Sequence, residues 1–306
     1  MAFAAFGSGG PGAAVDQAPR RRSWVALVLL LPGLAYLALF FLTPFVSLIL
    51  TSLQTPVEFG DVGQFQQAFK IENYALVVQQ YWPHFLRAFG YALAATFFAL
   101  VISYPLAYFI GVKARPWPLI QALMLTLVIA PFFISFLLRT LAWKALMSDE
   151  TPVVQALKAL SIIPSDGHLT GTAFSVIFGL TYNFIPFMTL PLYTTLERLD
   201  TRYLEAGSDL YAAPATTFWR VTVPLSMPGV VSGTLLTFIP AAGDYINASA
   251  SFLGSAQTQM VGNVIETNFL GLLDYPAASA LSVLLMGIIL LLVGLYVKRS
   301  GTEDLL

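Results

Sequence analysis

Cysteine is absent and histidine nearly so, with two in 306 residues. The first absence excludes disulfides, iron–sulfur clusters, thiolate zinc sites and cysteine nucleophiles together. The two histidines, His84 and His168, are far apart and lack metal-ligand spacing, so they read as ordinary residues of outer loops. Charge is scarce too: 10% of residues are charged against 57% hydrophobic. A soluble domain needs more charge to cover its surface, so the imbalance points to a membrane. A net charge of −1 gives no electrostatic basis for a nucleic-acid partner. No Gly-x4-Gly-Lys-Ser/Thr loop occurs, so the chain cannot cradle ATP itself.

What is present is apolar length. About 20 mainly apolar helical residues cross a hydrocarbon core about 30 Å thick. Six stretches qualify: 25–50, 85–110, 119–146, 171–195, 229–252 and 277–297. Barrel strands are short and alternate in polarity, whereas these runs are long and continuous. An all-α membrane protein with six transmembrane helices follows. Prolines 32, 44, 105, 131, 186, 191 and 240 lie inside the runs, where bundles tolerate kinks.

Residues 1–23 read as a disordered basic N-terminus, Gly- and Ala-rich and ending in Arg20, Arg21 and Arg22. The apolar run after them exceeds the roughly 7–15 residues of a signal h-region, which favours a retained first helix. With the N-terminus inside, ten basic residues fall inside and five outside. The positive-inside rule therefore puts both termini in the cytoplasm. Segments 51–84, 147–170 and 253–276 then face outward, and 301–306 form a cytoplasmic tail to the 24–300 six-helix domain.

The inward loop at 197–227 is long and patterned. Asp200 is a candidate N-cap. Tyr203, Leu204, Ala206, Leu210 and Ala213 form an apolar stripe at helical spacing. Pro214 breaks the pattern and suits the first turn of a second short helix. Phe218 and Val221 continue an apolar face. Two short amphipathic helices result, able to lie on lipid, pack on their own bundle or dock into another protein.

Within that loop EAGSDLYAAPATTFWRVTVP runs from Glu205 to Pro224. It resembles the signature of bacterial ABC importer permeases: Glu-Ala-Ala, three residues, Gly, nine residues, Ile, one residue, Leu-Pro. Glu205, Ala206 and Pro224 match, and Val221 and Val223 stand in for Ile and Leu. Gly207 replaces the second alanine and Tyr211 the central glycine. That glycine permits the turn between the short helices; here Pro214 is expected to supply the break. APFFISFLLRTLAWKAL at 130–146, YNFIPFMTLPLYTTLERLD at 182–200, PLSMPGVVSG at 224–233, FIPAAGDYINASASFLG at 238–254, MVGNVI at 260–265 and DYPAASALS at 274–282 are similar to spermidine/putrescine importer permeases. Related branches carry opines, ferric iron, thiamine or oxyanions.

The resemblance implies a type I ABC importer permease that is not itself an enzyme. It implies a second homologous permease, two ATPase subunits holding ATP and Mg, and an extracytoplasmic polyamine-binding protein. It also implies a coupling role for Glu205, Ala206, Gly207, Asp209, Tyr211, Phe218 and Pro224. A stand-alone secondary transporter or channel would account for the helices and kinks but not for the docking-like loop. An intramembrane enzyme lacks a histidine pair to build on.

Ionisable residues at membrane depth are costly and point to function. Asp244, read as part of the fifth helix, is the clearest. With Tyr245, Asn247, Tyr182 and Asn183 it offers carboxylate, amide and aromatic groups suited to a polycation. The alternative is a structural lock pairing Asp244 with Arg139 or Lys144. Arg139 is a candidate gate or binding-protein contact, and snorkelling accounts for Lys144. Glu266 lies on an outer amphipathic stretch whose apolar side is Met260, Val261, Val264, Ile265 and Phe269. It is either a gate or binding-protein contact or a solvated acid.

Overall fold

The computed structural model describes residues 24–57 and 60–300. The readings of 1–23 as a disordered segment and of 301–306 as a tail lie outside the described residues. Two units are distinguished, residues 1–47 and 48–306.

The first unit holds α1 (Trp24–Leu37), a π turn (Ala38–Leu42) and the start of α2 (Thr43–Ser52). Its described side chains from Val28 to Pro44 are all exposed, although they are almost entirely apolar. A helix apolar all round suits lipid.

The second unit is built on three long helices, α3 (Glu72–Tyr108), α7 (Ala173–Glu197) and α11 (Met227–Ala242), with α13 (Tyr275–Ser300) against α3. Before them comes a minimal hairpin, β1 (Thr55–Pro56) and β2 (Phe65–Gln66), paired antiparallel with Thr55 opposite Gln66. Along α3 the buried residues include Ala88, Ala92, Ala95, Ala99, Ser103 and Ala107. Their spacing of three or four puts them on one face. Small residues there let backbones approach closely, as in membrane bundles. Thr189 of α7 donates to Ser103 Oγ at 2.9 Å across this contact. Thr172 and Ser175 form a capping box that starts α7, satisfying end donors that lipid could not.

Four helices are long and apolar enough to cross a membrane, or up to six if each bent pair counts as one span. The expected run at 119–146 is such a pair. α4 (Pro118–Ile129) and α5 (Phe136–Leu146) meet at 95°, with Pro131 and Ser135 in the break. The second expected run begins earlier, at Glu72. His84 therefore sits in α3 rather than in a loop. The fifth expected run, 229–252, is corrected more sharply. α11 stops at Ala242, and Gly243 to Met260 is a compact chain of turns before α12 (Val261–Glu266).

Between α5 and α7 lies α6 (Pro152–Ala159), N-capped by Thr151. Between α7 and α11 lie α8 (Arg202–Asp209), α9 (Pro214–Thr217), a π turn (Phe218–Thr222) and α10 (Val223–Leu225). Two short helices were expected in this loop, and α8 and α9 are those helices.

Candidate functional site

Asp244 lies two residues beyond the end of α11, 7% exposed, not inside a helix. The helix ends there because Gly243, Asp244, Asn247 and Ser249 are turn formers. Asp244 Oδ1 accepts from the Asn247 backbone N–H at 2.8 Å, and Oδ2 from Asn247 Nδ2 at 3.1 Å. Asn247 Oδ1 accepts from Asn183 Nδ2 at 3.2 Å, and the same Nδ2 lies 3.3 Å from Thr140 Oγ1. All four residues are buried. A polar chain thus runs from Asp244 through Asn247 and Asn183 to Thr140, joining the turn segment, α7 and α5. Asn183 Oδ1 is buried without a partner among the described residues.

The turn segment is pressed onto its neighbours. A Cβ at Gly179 would lie 2.6 Å from Asn247 Oδ1, and one at Gly262 would lie 2.6 Å from the Asp244 carbonyl oxygen. Only glycine allows such approaches. Asn263 adds a clamp: it donates through Nδ2 to the Tyr245 carbonyl and accepts through Oδ1 from Met260 N–H at 3.1 Å.

The expected lock is not formed. Among the described residues Asp244 has no cationic partner, since the two ion pairs there both involve Asp149. Lys144 donates instead to the Ser251 carbonyl at 2.8 Å. Arg139 is buried, with Nε and Nη1 lacking partners, and its guanidinium lies 5.6 Å from the Phe136 ring centroid.

Of the other expected site residues, Tyr182 packs edge-on against Trp143 at 5.1 Å and stays outside the polar chain. Tyr245 is exposed. Glu266 is half-buried at the end of α12. Phe269, placed on that helix's apolar side from the sequence, is exposed, whereas Met260, Val261 and Val264 are buried. Thr140, Asn263, Gly179 and Gly262 were missed. Thr140 and Asn263 lie within runs singled out for their resemblance, yet a lone threonine or asparagine in apolar sequence carries little signal.

The hairpin at 202–217 has a definable turn. Asp200 Oδ1 accepts from Arg202 N–H at 3.0 Å, just ahead of α8, whose N-cap is Thr201 rather than the expected Asp200. At its end Ala212 N–H bonds to the Gly207 carbonyl at 3.0 Å, and Tyr211 N–H to the Ser208 carbonyl at 2.9 Å. This is a Schellman motif, and its left-handed residue is Tyr211, at φ 55, where glycine is the usual occupant. The break is therefore made by Tyr211 itself, with Pro214 opening α9 after it. A left-handed non-glycine costs on the order of 1–3 kcal/mol. The second departure, Gly207, faces α9: a Cβ there would lie 2.8 Å from Thr217 Oγ1.

Glu205, Ala206, Asp209 and Tyr211 are exposed. Phe218 points the other way, edge-on to Tyr104 and Tyr108 of α3 at 5.5 Å each. Pro224 sits at the start of α10, and Ser226 after it bonds Tyr104 Oη at 2.7 Å. Phe218 and this corner thus fasten the hairpin to its own bundle. Arg115, in the turn before α4, donates to the Leu196, Glu197 and Leu199 carbonyls and closes the end of α7 where positive charge is favoured.

Residues 103–300 match the family described as binding-protein-dependent transport system inner membrane component. The chain belongs to this family. It is a multi-pass membrane protein and a permease subunit of an importer. The spermidine/putrescine transport system permease protein PotB of Salmonella typhimurium is 35% identical over 269 residues, 87% of this chain and 91% of that protein. PotB of Haemophilus influenzae is 33% identical over 91% of each. The inner membrane ABC transporter permease protein YdcU of Escherichia coli is 28% identical over 72% of each. Among solved structures, a bacterial ABC transporter involved in import of the acidic polysaccharide alginate superposes with a TM-score of 0.64 at 15% identity. It covers 91% of this chain and 96% of that one. The MetNI methionine ABC transporter gives 0.51 at 19% identity, over 75% and 95%. Both likenesses establish the importer-permease fold alone.

Proposed function

We propose that this permease subunit carries polyamines, spermidine or putrescine, inward across the bacterial cytoplasmic membrane. The identity of 33–35% to spermidine/putrescine permeases over most of the chain carries this reading. A second homologous permease completes the pathway, an extracytoplasmic binding protein delivers cargo, and two separate ATPase subunits hold ATP and Mg and perform the hydrolysis. Both termini and the 202–217 hairpin lie in the cytoplasm, as the distribution of basic residues favours.

Asp244 supplies the chemistry. Its carboxylate is held by amide donors and lacks a cation among the described residues, so an ammonium group is its natural counter-ion. Asn247 and Asn183 offer further oxygens to the same cation, and Arg139 and Glu266 act as gate or binding-protein contacts.

α11 supplies the linkage. It begins at Met227, directly after the hairpin and its Tyr104–Ser226 fastening, and ends two residues before Asp244. One helix of 16 residues, about 24 Å long, thus joins the surface that the ATPase moves to the carboxylate. Closure of the ATPases drives the hairpin, α11 and α3 follow, and the turn segment opens or seals Asp244.

Uptake of labelled spermidine by the whole importer in proteoliposomes tests this. Asp244→Asn keeps an oxygen for the Asn247 N–H but removes the charge. Uptake is expected to fall at least about tenfold, with assembly and ATP hydrolysis retained. Neither spermidine nor putrescine uptake by the unaltered importer, despite active hydrolysis, would sink the cargo assignment.

A further inference from the structure

A recess of about 360 Å³ opens between the β1–β2 hairpin, the first turns of α3 and the chain leading into α13. Lys70 and Asp274 both line it, each half-buried. They do not pair, since the ion pairs among the described residues both involve Asp149. Among those residues the Lys70 ammonium has no hydrogen bond. The Asp274 carboxylate accepts the Ala277 N–H at 3.1 Å through Oδ1, which leaves Oδ2 open. Both residues are pinned by their backbones: Lys70 N–H bonds to the Leu53 carbonyl at 3.0 Å, and Asp274 N–H to the Asn268 carbonyl at 2.8 Å. Leu273, next to Asp274, keeps a left-handed φ of 53. A non-glycine holds that conformation where its surroundings enforce it, and such strain gathers at ligand clamps. A fixed cation and a fixed anion that share one recess without meeting suit a ligand with one charge of each sign.

The rim and the depth decide what carries those charges. Leu76 and Leu272 line the same recess and are 53% and 58% exposed. A soluble zwitterion would leave them in water, whereas an amphiphile covers them. The recess abuts the head of α13, whose apolar span of 25 residues begins at Tyr275. At about 37 Å that span slightly exceeds a hydrocarbon core about 30 Å thick, so its ends lie among the headgroups. Tyr81 in the recess and the exposed Trp82 beside it mark the same level, as interfacial aromatic residues do.

We propose that this recess is a phospholipid site. It takes a zwitterionic headgroup, whose phosphate pairs with Lys70 and whose primary ammonium pairs with Asp274, while the acyl chains start across Leu76 and Leu272. Because both charges are already in place, the lipid binds as a resident ligand that ties the hairpin to the heads of α3 and α13.

Native mass spectrometry of the whole importer, delipidated and titrated with phosphatidylethanolamine or phosphatidylglycerol, gives the test. The two lipids share the phosphate and differ in the ammonium. The unaltered importer is expected to take its first ethanolamine lipid at least about fivefold more tightly than its first glycerol lipid. Asp274→Asn keeps an oxygen for the Ala277 N–H and is expected to erase that preference. Lys70→Gln is expected to weaken both lipids alike. Equal binding of the two lipids by the unaltered importer, or a preference that survives Asp274→Asn, overturns the proposal. Phosphoethanolamine without acyl chains separates lipid from soluble ligand: if it displaces the lipid at equal concentration, the recess takes a soluble zwitterion and the lipid assignment falls. Acetylation separates lipid from protein. Lys70 is expected to resist the reagent in nanodiscs of the ethanolamine lipid alone; protection that appears only once the extracytoplasmic binding protein is added assigns the recess to a protein contact and overturns the proposal as well.

Discussion

At the scale of single residues, an acid within an apolar run was visible in the sequence, and its surroundings were not. Asp244 stands out because acids are rare in apolar runs, but hydropathy averages over the Gly243–Asp244 break and extends the helix through it. The turn formers at 243–249 were the signal that the helix had ended, and they were outweighed by the apolar residues around them. Of the residues grouped with Asp244 from the sequence, Asn247 bonds it and Asn183 reaches it only through Asn247, whereas Arg139 and Lys144 were offered as its lock and are not bonded to it. Distances between side chains on different helices are not encoded in periodicity. The network predicts its own weak point. Gly179→Ala puts a methyl 2.4 Å from Leu253 Cδ1 and 2.6 Å from Asn247 Oδ1, forcing the turn segment away from α7. Overpacking of this kind costs about 1–3 kcal/mol. A lowered unfolding temperature of the purified permease, together with reduced uptake, is the expected result; an unchanged melting profile would show that the segment shifts freely.

At the scale of elements, the two short helices and the proline at the head of the second were legible, because each rests on local chemistry; the cap expected at Asp200 falls one residue early, since Thr201 is the N-cap of α8. The turn between them was not, since nothing in tyrosine announces a left-handed backbone. Only the family's glycine at that place hinted at it. The loop between α5 and α7 offers a separate test. Lys158 at the end of α6 lies 3.0 Å from Asp149, and His168 bonds the other carboxylate oxygen. These partners, Lys158 first, hold the Asp149 carboxyl below its ordinary value of 3.8. A depressed carboxyl contributes stability that is complete above the unfolded value and lost as pH falls through the folded one. Asp149→Asn is therefore expected to speed hydrogen exchange across 149–168 at pH 7, and the difference from the unaltered protein to vanish in strong acid. Because the pair is only half-buried, the effect is local and screened by salt.

At the scale of the whole molecule, the helical class and the number of apolar runs were readable from composition and length alone. Which runs stay straight was not: a bend of 95° between α4 and α5 leaves the hydropathy of 118–146 continuous. The packing order came from small residues. Ala88, Ala92, Ala95 and Ala99 are fully buried where α3 meets the other long helices, and there is no room for a longer side chain. Ala92→Leu is expected to cost about 1–3 kcal/mol or to prevent folding. Loss of a monodisperse peak in size-exclusion chromatography would report it, with Leu93→Ala on the exposed side of α3 as the control that leaves the peak intact.

The bent pair also bears on how the chain is made. α4 has 12 residues and α5 has 11, about 18 Å and 17 Å of helix, so neither alone reaches across a hydrocarbon core about 30 Å thick. Only as one straight stretch would 118–146 be long enough to cross it. Thr140 meets Asn183 at 3.3 Å, and Asn183 is synthesised more than forty residues later. The corner between α4 and α5 is thus fastened, in the folded chain, by a helix that is made later.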